Sequence, residues 1–199
     1  MCFFIFEWSV FDIQTMMTGV ISVKAQTCQV IYYTILCTCY TAFYGFQETA
    51  CALIGNSIGD NDAKLAKRYF KASFIIAAAV GTVVVTALRV FKNQVFGLFE
   101  TDGLNERLNS NWDLICLSLA MDIINITLGG AIRGIGQQAY ASVNYFIAYF
   151  IIDLPLSFYL AFYAGKHKEE KNKDSDVVTE VEGMGITGIW TAVCIAGVY

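Results

Sequence analysis

The chain reads as an all-α membrane protein, a six-transmembrane-helix bundle. Three observations predict this class. Hydrophobic residues make up 56% of the 199 positions and charged residues only 15%, against roughly 25% charged in soluble domains. The charges crowd into 60–71, 100–107 and 166–182. Between those clusters lie apolar runs near the roughly 20 residues that a spanning helix needs.

The elements follow in order. The first apolar segment covers 2–23 and is not a signal peptide. It lacks a basic start and a small-residue cleavage site, and its apolar run carries acids. The second segment covers 28–54. The polar stretch GNSIGDNDAKLAKR (55–68) then turns into a helix, with Asn61 or Asp62 as its N-cap. The third segment covers 69–91, and the loop after it, 92–111, is expected to hold a short interfacial helix. The fourth segment covers 112–132, ending in a tight Gly-rich turn at 133–139, and the fifth covers 140–164. The charged stretch 165–183, containing the lone His167, reads as a mobile, solvated loop. The sixth segment, 184–199, is short for a bilayer core about 30 Å thick. Both ends therefore read as truncated.

Several functions are excluded. Net charge is −4 and no basic stripe with interleaved aromatics occurs, so nucleic-acid binding has no support. The seven cysteines are odd in number, lie in or beside apolar runs and form no CxxC, which marks them as small buried hydrophobes. No cofactor or metal site is expected. Gly183, Gly185 and Gly188 formally spell GxGxxG, but no strand precedes them, so no dinucleotide fold is implied.

The informative residues are acids inside apolar segments, where a carboxylate costs a few kcal/mol or more on insertion scales. Glu7 and Asp12 interrupt the first segment and Asp122 the fourth. Five residues apart, Glu7 and Asp12 differ by about 140° around a straight helix, so they cannot share one narrow face. Glu7 reads as a cavity group or as a residue at a helix end. Asp122, one turn before Asn125, reads as cavity-lining or as a polar helix–helix contact. Asp113 reads as interfacial. Asp153 precedes Pro155, which frees the carbonyl of Ile151, and reads as functional or interfacial. Trp8, Phe11, Tyr32, Tyr33, Tyr149 and Phe150 are candidate aromatic contacts for a cation.

Five motifs in register resemble the multidrug and toxic compound extrusion (MATE) antiporters. EWSVFD (7–12) is similar to the acid-Trp…acid pattern of their seventh helix. GFQETACALIGNSIGDNDAKLAKR (45–68) resembles the eighth helix and the loop after it. GGAIRGIGQQ (129–138), with Gly129, Gly130, Arg133 and Gly134, resembles GG-x-x-RG-x-GxQ. YFIIDLP (149–155), ending in Pro155, resembles Y-Y-x-x-G-L-P. GITGIW (185–190), with Gly188 and Trp190, resembles G-x-x-G-L-W. The departures are Leu53 for the usual Arg two residues before GN, Asn61 for the second Gly of LG-x-G, and Asp153 for the Gly before LP.

The resemblance implies helices seven to twelve of a twelve-helix secondary transporter, the C-terminal lobe, with the N-terminal lobe absent and the last helix cut short. It implies export of organic cations and xenobiotics by antiport against protons, or sodium, as part of a full-length protein. Glu7, Asp12 and Asp122 fall where eukaryotic members keep coupling and cation-binding acids. Trp8, Phe11, Tyr33 and Asn125 are then candidate cavity-lining residues. The implied partners are the lipid bilayer, a small organic cation and the missing lobe. The implied location is multi-pass in a plasma or vacuolar-type membrane. The family places 165–183 outside the cytosol. Counting basic residues opposes that, since Lys64, Lys67, Arg68, Lys71 and Arg133 face eight on the other side; long polar loops weigh little in that rule. Two alternatives stand beside the transporter: a fragment that transports nothing alone, and, more distantly, an intramembrane aspartyl protease built on paired aspartates.

Overall fold

Ser22 decides how the first two helices meet. A computed structural model describes the backbone of residues 2–99, 104–164 and 184–197, and the side chains within those ranges from Trp8 onward. Helix α1 (Cys2–Ile21) runs into α2 (Val23–Gly59) with Ser22 alone between them. The Ser22 side chain accepts a hydrogen bond from the Ala25 amide at 3.1 Å, capping α2. α2 therefore starts five residues before its apolar run does. At 37 residues it is roughly 55 Å long.

Just beyond α2 and its C-cap Asp60 stands Asn61, whose φ of 60° lies in the left-handed region. Asparagine tolerates that conformation better than most residues, so it replaces the glycine usual at a helix end. Asp62 then caps α3 (Ala63–Val90), accepting from the amides of Lys64 and Leu65. Of the two residues expected to share that role, Asn61 stops one helix and Asp62 starts the next.

α3 exposes Ile75, Ile76, Val80 and Val83. An apolar helix with so little covered fits a lipid-facing position. Helix α4 (Lys92–Gly97) is the short helix expected after it, and its Phe96 meets Trp112 edge to face with centroids 4.8 Å apart. α5 (Asn105–Gly134) begins seven residues before the predicted segment. Hydropathy misses such starts because the first turns are polar.

The fifth segment is one rod from Gln138 to Phe162. It comprises α6 (Gln138–Phe146), a π-helical stretch (Ile147–Asp153) and α7 (Leu154–Phe162). Pro155 lacks an amide hydrogen, which frees the Ile151 carbonyl and would kink or break a regular α-helix. Instead the rod widens just before the proline and continues. π-turns of this kind often mark functional sites. α8 (Ile186–Ala196) completes the bundle. The segment 165–183, with His167 and the basic residues 166–173, lies outside the described residues.

Among the described helices, α3, α5 and the Gln138–Phe162 rod are long and apolar enough to cross a membrane, and α8 is a shorter apolar helix. The core runs along α2 and α5, with α3, α4 and α8 packed onto it. α1 lies against α2 on one side and against the α6–α7 rod on the other.

Candidate functional site

α1 presents two faces with different chemistry. Val10, Gln14 and Thr18, four residues apart, are fully buried. Trp8 and Asp12, also four apart, form a second stripe that is open, with Trp8 37% exposed and Asp12 exposed.

The Trp8 side leads into a cavity where α1, α2 and α5 converge. Its lining is Trp8 and Phe11 from α1, Tyr33, Leu36, Cys37 and Tyr40 from α2, and Asp122 from α5. The four α2 residues stand at i, i+3, i+4 and i+7, one face of a helix. Trp8 sits edge-on to Tyr33 and Tyr40, with ring centroids at 5.9 and 6.1 Å. Phe11 lies 5.7 Å from Tyr33 and 6.5 Å from Trp190. These rings hold one another in edge and tilted contacts that aromatic quadrupoles favour. The enclosed part of the cavity is about 30 Å³, enough for about one water. Asp122, half-buried, is its one carboxylate.

The candidate residues separate accordingly. Trp8, Phe11, Tyr33 and Asp122 come together. Asp12 shares the open side of α1 with Trp8 but is not part of the lining. The α1 backbone includes Glu7, whose side chain lies outside the described residues. Asn125 does not reach the cavity. It donates to the Gly197 carbonyl at 3.1 Å and holds the end of α8, because one turn beyond Asp122 the α5 surface already faces that helix. Tyr32 is also structural: fully buried, its hydroxyl sits 3.1 and 3.0 Å from the carbonyls of Arg107 and Leu108, and its ring meets Trp190 edge-on. Tyr149 is buried against Phe11 and Tyr145. Leu36, Cys37 and Tyr40 were not singled out from the sequence, although their spacing from Tyr33 carried the signal.

The sealed side of α1 meets Asp153. Gln14 Nε2 donates to Asp153 Oδ2 at 2.9 Å and to Ser157 Oγ at 3.0 Å, and Ser157 Oγ donates to Asp153 Oδ1 at 3.0 Å. All three side chains are fully buried. This cluster joins α1 to the π-stretch and α7. It settles the position of Asp153 as interior, not interfacial.

A larger cleft of about 410 Å³ opens between α2 and α3. Tyr69 is its only titratable lining residue among small and apolar ones, so the chemistry lies elsewhere. No metal-binding group of three His, Cys, Asp or Glu occurs among the described residues, and the six cysteines whose side chains are described form no disulfide.

A protein-family model described as MatE matches residues 1–159, most of the chain. The chain belongs to the MatE family. It is 26% identical over 185 residues to multidrug and toxin extrusion protein 2 of Oryctolagus cuniculus, covering 92% of this chain and 28% of that protein. It is 23% identical to multidrug and toxin extrusion protein 1 of Rattus norvegicus, covering 96% of this chain and 31% of that one. Among solved structures, a eukaryotic MATE transporter, AtDTX14, superposes with a TM-score of 0.74 at 19% identity, covering 96% of this chain and 39% of that one. The chain thus spans about a third of the length of these relatives. Membership in MatE makes it an integral membrane chain of a transporter family, and sets the protease alternative aside.

The MatE motifs account for the seams around the cavity. A Cβ on Gly130 would stand 2.6 Å from the Gln47 carbonyl oxygen, and one on Gly134 2.8 Å from that of Cys51. Those glycines let α5 lie directly on the α2 backbone, as small residues do between membrane helices. Arg133 Nη2 reaches Glu48 Oε1 at 2.6 Å across the same seam, which gives Glu48 a structural role. In the last motif, Gly188 carries α8 onto the α7 backbone, where a Cβ would meet the Leu160 carbonyl carbon at 2.7 Å. Gly185, at φ 56° and ψ −133°, makes the turn before it. Trp190 is then fully buried behind Phe11.

Proposed function

We propose that this chain forms one lobe of a secondary transporter that exports small organic cations in exchange for protons. The observation that carries this reading is Asp122 in a cavity walled by Trp8, Phe11, Tyr33 and Tyr40. A carboxylate among aromatic faces offers a cation both a counter-charge and cation–π contacts. The same carboxylate can instead hold a proton. One site cannot serve both at once, so each ligand lowers the affinity for the other, and this negative coupling is reciprocal. Such competition is what exchange requires.

The enclosed volume suits a water or a proton, not an organic cation. The cation is therefore met at the open mouth, where Trp8 and Asp12 are exposed. The rest of its site would come from outside this lobe, consistent with relatives about three times as long. Alternating access would come from rocking of one lobe against the other. Glu7 and Asp12 supply further carboxylates on α1.

The test is efflux from vesicles driven by a pH gradient, using a full-length protein that contains this sequence. Glu7→Gln and Asp122→Asn are each expected to abolish efflux while leaving the protein in the membrane. Wild-type efflux in both variants would overturn the assignment. A response to a sodium gradient in place of a pH gradient would reassign the coupling ion.

A further inference from the structure

Among the described residues, Asp153 has hydrogen-bond partners but no counter-charge. α1, the α6–α7 rod and α8 are the elements packed against it, and their sequences contain no lysine, arginine or histidine. Cys194 from α8 lies within electrostatic reach of both Asp153 and Asp122, and Tyr149 stands one turn earlier in the same rod, against Phe11 and Tyr145. On α1, Asp12 is exposed on the other side of the helix. None of these offsets a negative charge.

An ionised carboxylate sealed away from water is strongly disfavoured even after relaxation of its surroundings. Two hydrogen bonds from neutral donors do not repay that. The arrangement needs a positive charge, and a proton is the one that fits without further ligands.

Gln14 supplies the second observation. Its Nε2 faces the carboxyl group, while its Oε1 is fully buried and has no hydrogen-bond partner. An amide serves either protonation state of an acid. Its N–H donates to the ionised form. Turned about its last bond, it presents Oε1 at the same place, 2.9 Å from Asp153 Oδ2, to accept from the neutral form. A lysine or arginine there could serve only the ionised state.

We propose that Asp153, with Gln14 and Ser157, is a proton-holding site, separate from the Asp122 cavity and joined to it through α1. The chemistry is addition of one proton to one carboxylate oxygen, with no other bond made or broken. Gln14 reports occupancy to α1, whose opposite side carries Trp8 and Asp12. This site does not depend on the transport reading, because it is defined by occupancy and not by flux.

Infrared spectroscopy of the purified protein in lipid vesicles tests it. The wild type should show the C=O stretch of a protonated carboxylic acid at neutral pH. Asp153→Asn should remove that band, and Asp122→Asn should retain it. Ser157→Ala, which removes one partner and keeps the acid, should shift the band without abolishing it. A protonated-carboxyl region left unchanged by Asp153→Asn overturns the proposal, whereas loss of intensity only in Asp122→Asn assigns the band to the open cavity and overturns it too. So does a carboxylate signal from Asp153 that changes between sodium and choline buffers, since that marks a metal cation as the occupant.

Discussion

Asp122 and Asp153 are both membrane carboxylates, yet the protein treats them in opposite ways. Asp122 is half-buried, walled by aromatic rings, and opens towards a face where Asp12 is exposed. Asp153 is fully buried and held by an amide and a hydroxyl from two helices. A group that exchanges a bulky ligand needs access and soft walls. A group that carries only a proton needs neither, and gains from a fixed shell. Both lie beside α1, so this helix joins an open site to a closed one.

The largest effect is expected from breaking the α2–α5 seam behind the open site. In Gly130→Leu the new side chain would enter the space of the Gln47 carbonyl, which is backbone and cannot swing aside. Overpacking of this kind costs about 1–3 kcal/mol and sometimes more. Gly130→Leu should give little monodisperse protein on size-exclusion chromatography and a lowered unfolding midpoint. Gly45→Ala, whose Cβ meets nothing within 4 Å, should leave both unchanged. Equal behaviour of the two variants would mean that the α2–α5 packing is not as close as described.

How legible these regions were in the sequence follows from the same contrast. The glycine seam and Trp190 were visible as motifs because close backbone approach leaves a residue type no alternative. Glycine is required wherever a Cβ would strike a carbonyl, and a pattern records it. Asp122, Trp8, Phe11 and Tyr33 were visible as anomalies of cost and as aromatics near an acid. Asp153 was noticed, but its role was not. Its partner Gln14 is 139 residues away, and a lone glutamine in an apolar helix does not announce which acid it meets. The helix ends were misplaced for a simpler reason. Ser22 starts α2 through a side-chain hydrogen bond, which hydropathy does not register, whereas the Asp62 cap was legible because aspartate before a helical run is a capping signal.

The sealed site is broken by Gln14→Leu. The substitution keeps approximate volume and deletes the donor to Asp153 and Ser157. Leaving buried polar atoms unmet costs about 1–3 kcal/mol, so the thermal midpoint should fall by several degrees. The Asp122 cavity should keep its ability to quench Trp8 fluorescence with a bound organic cation. Pairing with Asp153→Leu gives a double-mutant cycle. The double variant should recover much of the loss, because no orphaned polar group then remains except Ser157. Additive losses would show that Gln14 and Asp153 do not act as a unit.

The open site is probed most finely at Trp8. Trp8→Leu removes the aromatic face beside Tyr33 and Tyr40 and keeps a large apolar side chain. A cation–π contact contributes about 0.5–1 kcal/mol at an exposed position and about 2 where water is excluded. At 37% exposure Trp8 lies between these limits, so affinity for a quaternary ammonium ion should fall about three- to tenfold. Trp8→Phe, which retains a weaker aromatic face, should fall less. The infrared band assigned to Asp153 should not move in either variant, since Trp8 and Gln14 leave α1 on different sides. Titration calorimetry over a series of ammonium ions checks the first expectation. Equal affinity for an uncharged isostere in wild type and Trp8→Leu separates lost cation–π attraction from lost apolar contact. If the isostere weakens as much as the cation does, Trp8 contributes surface and not charge recognition. The discrimination between cation and neutral would then rest on Asp122 alone.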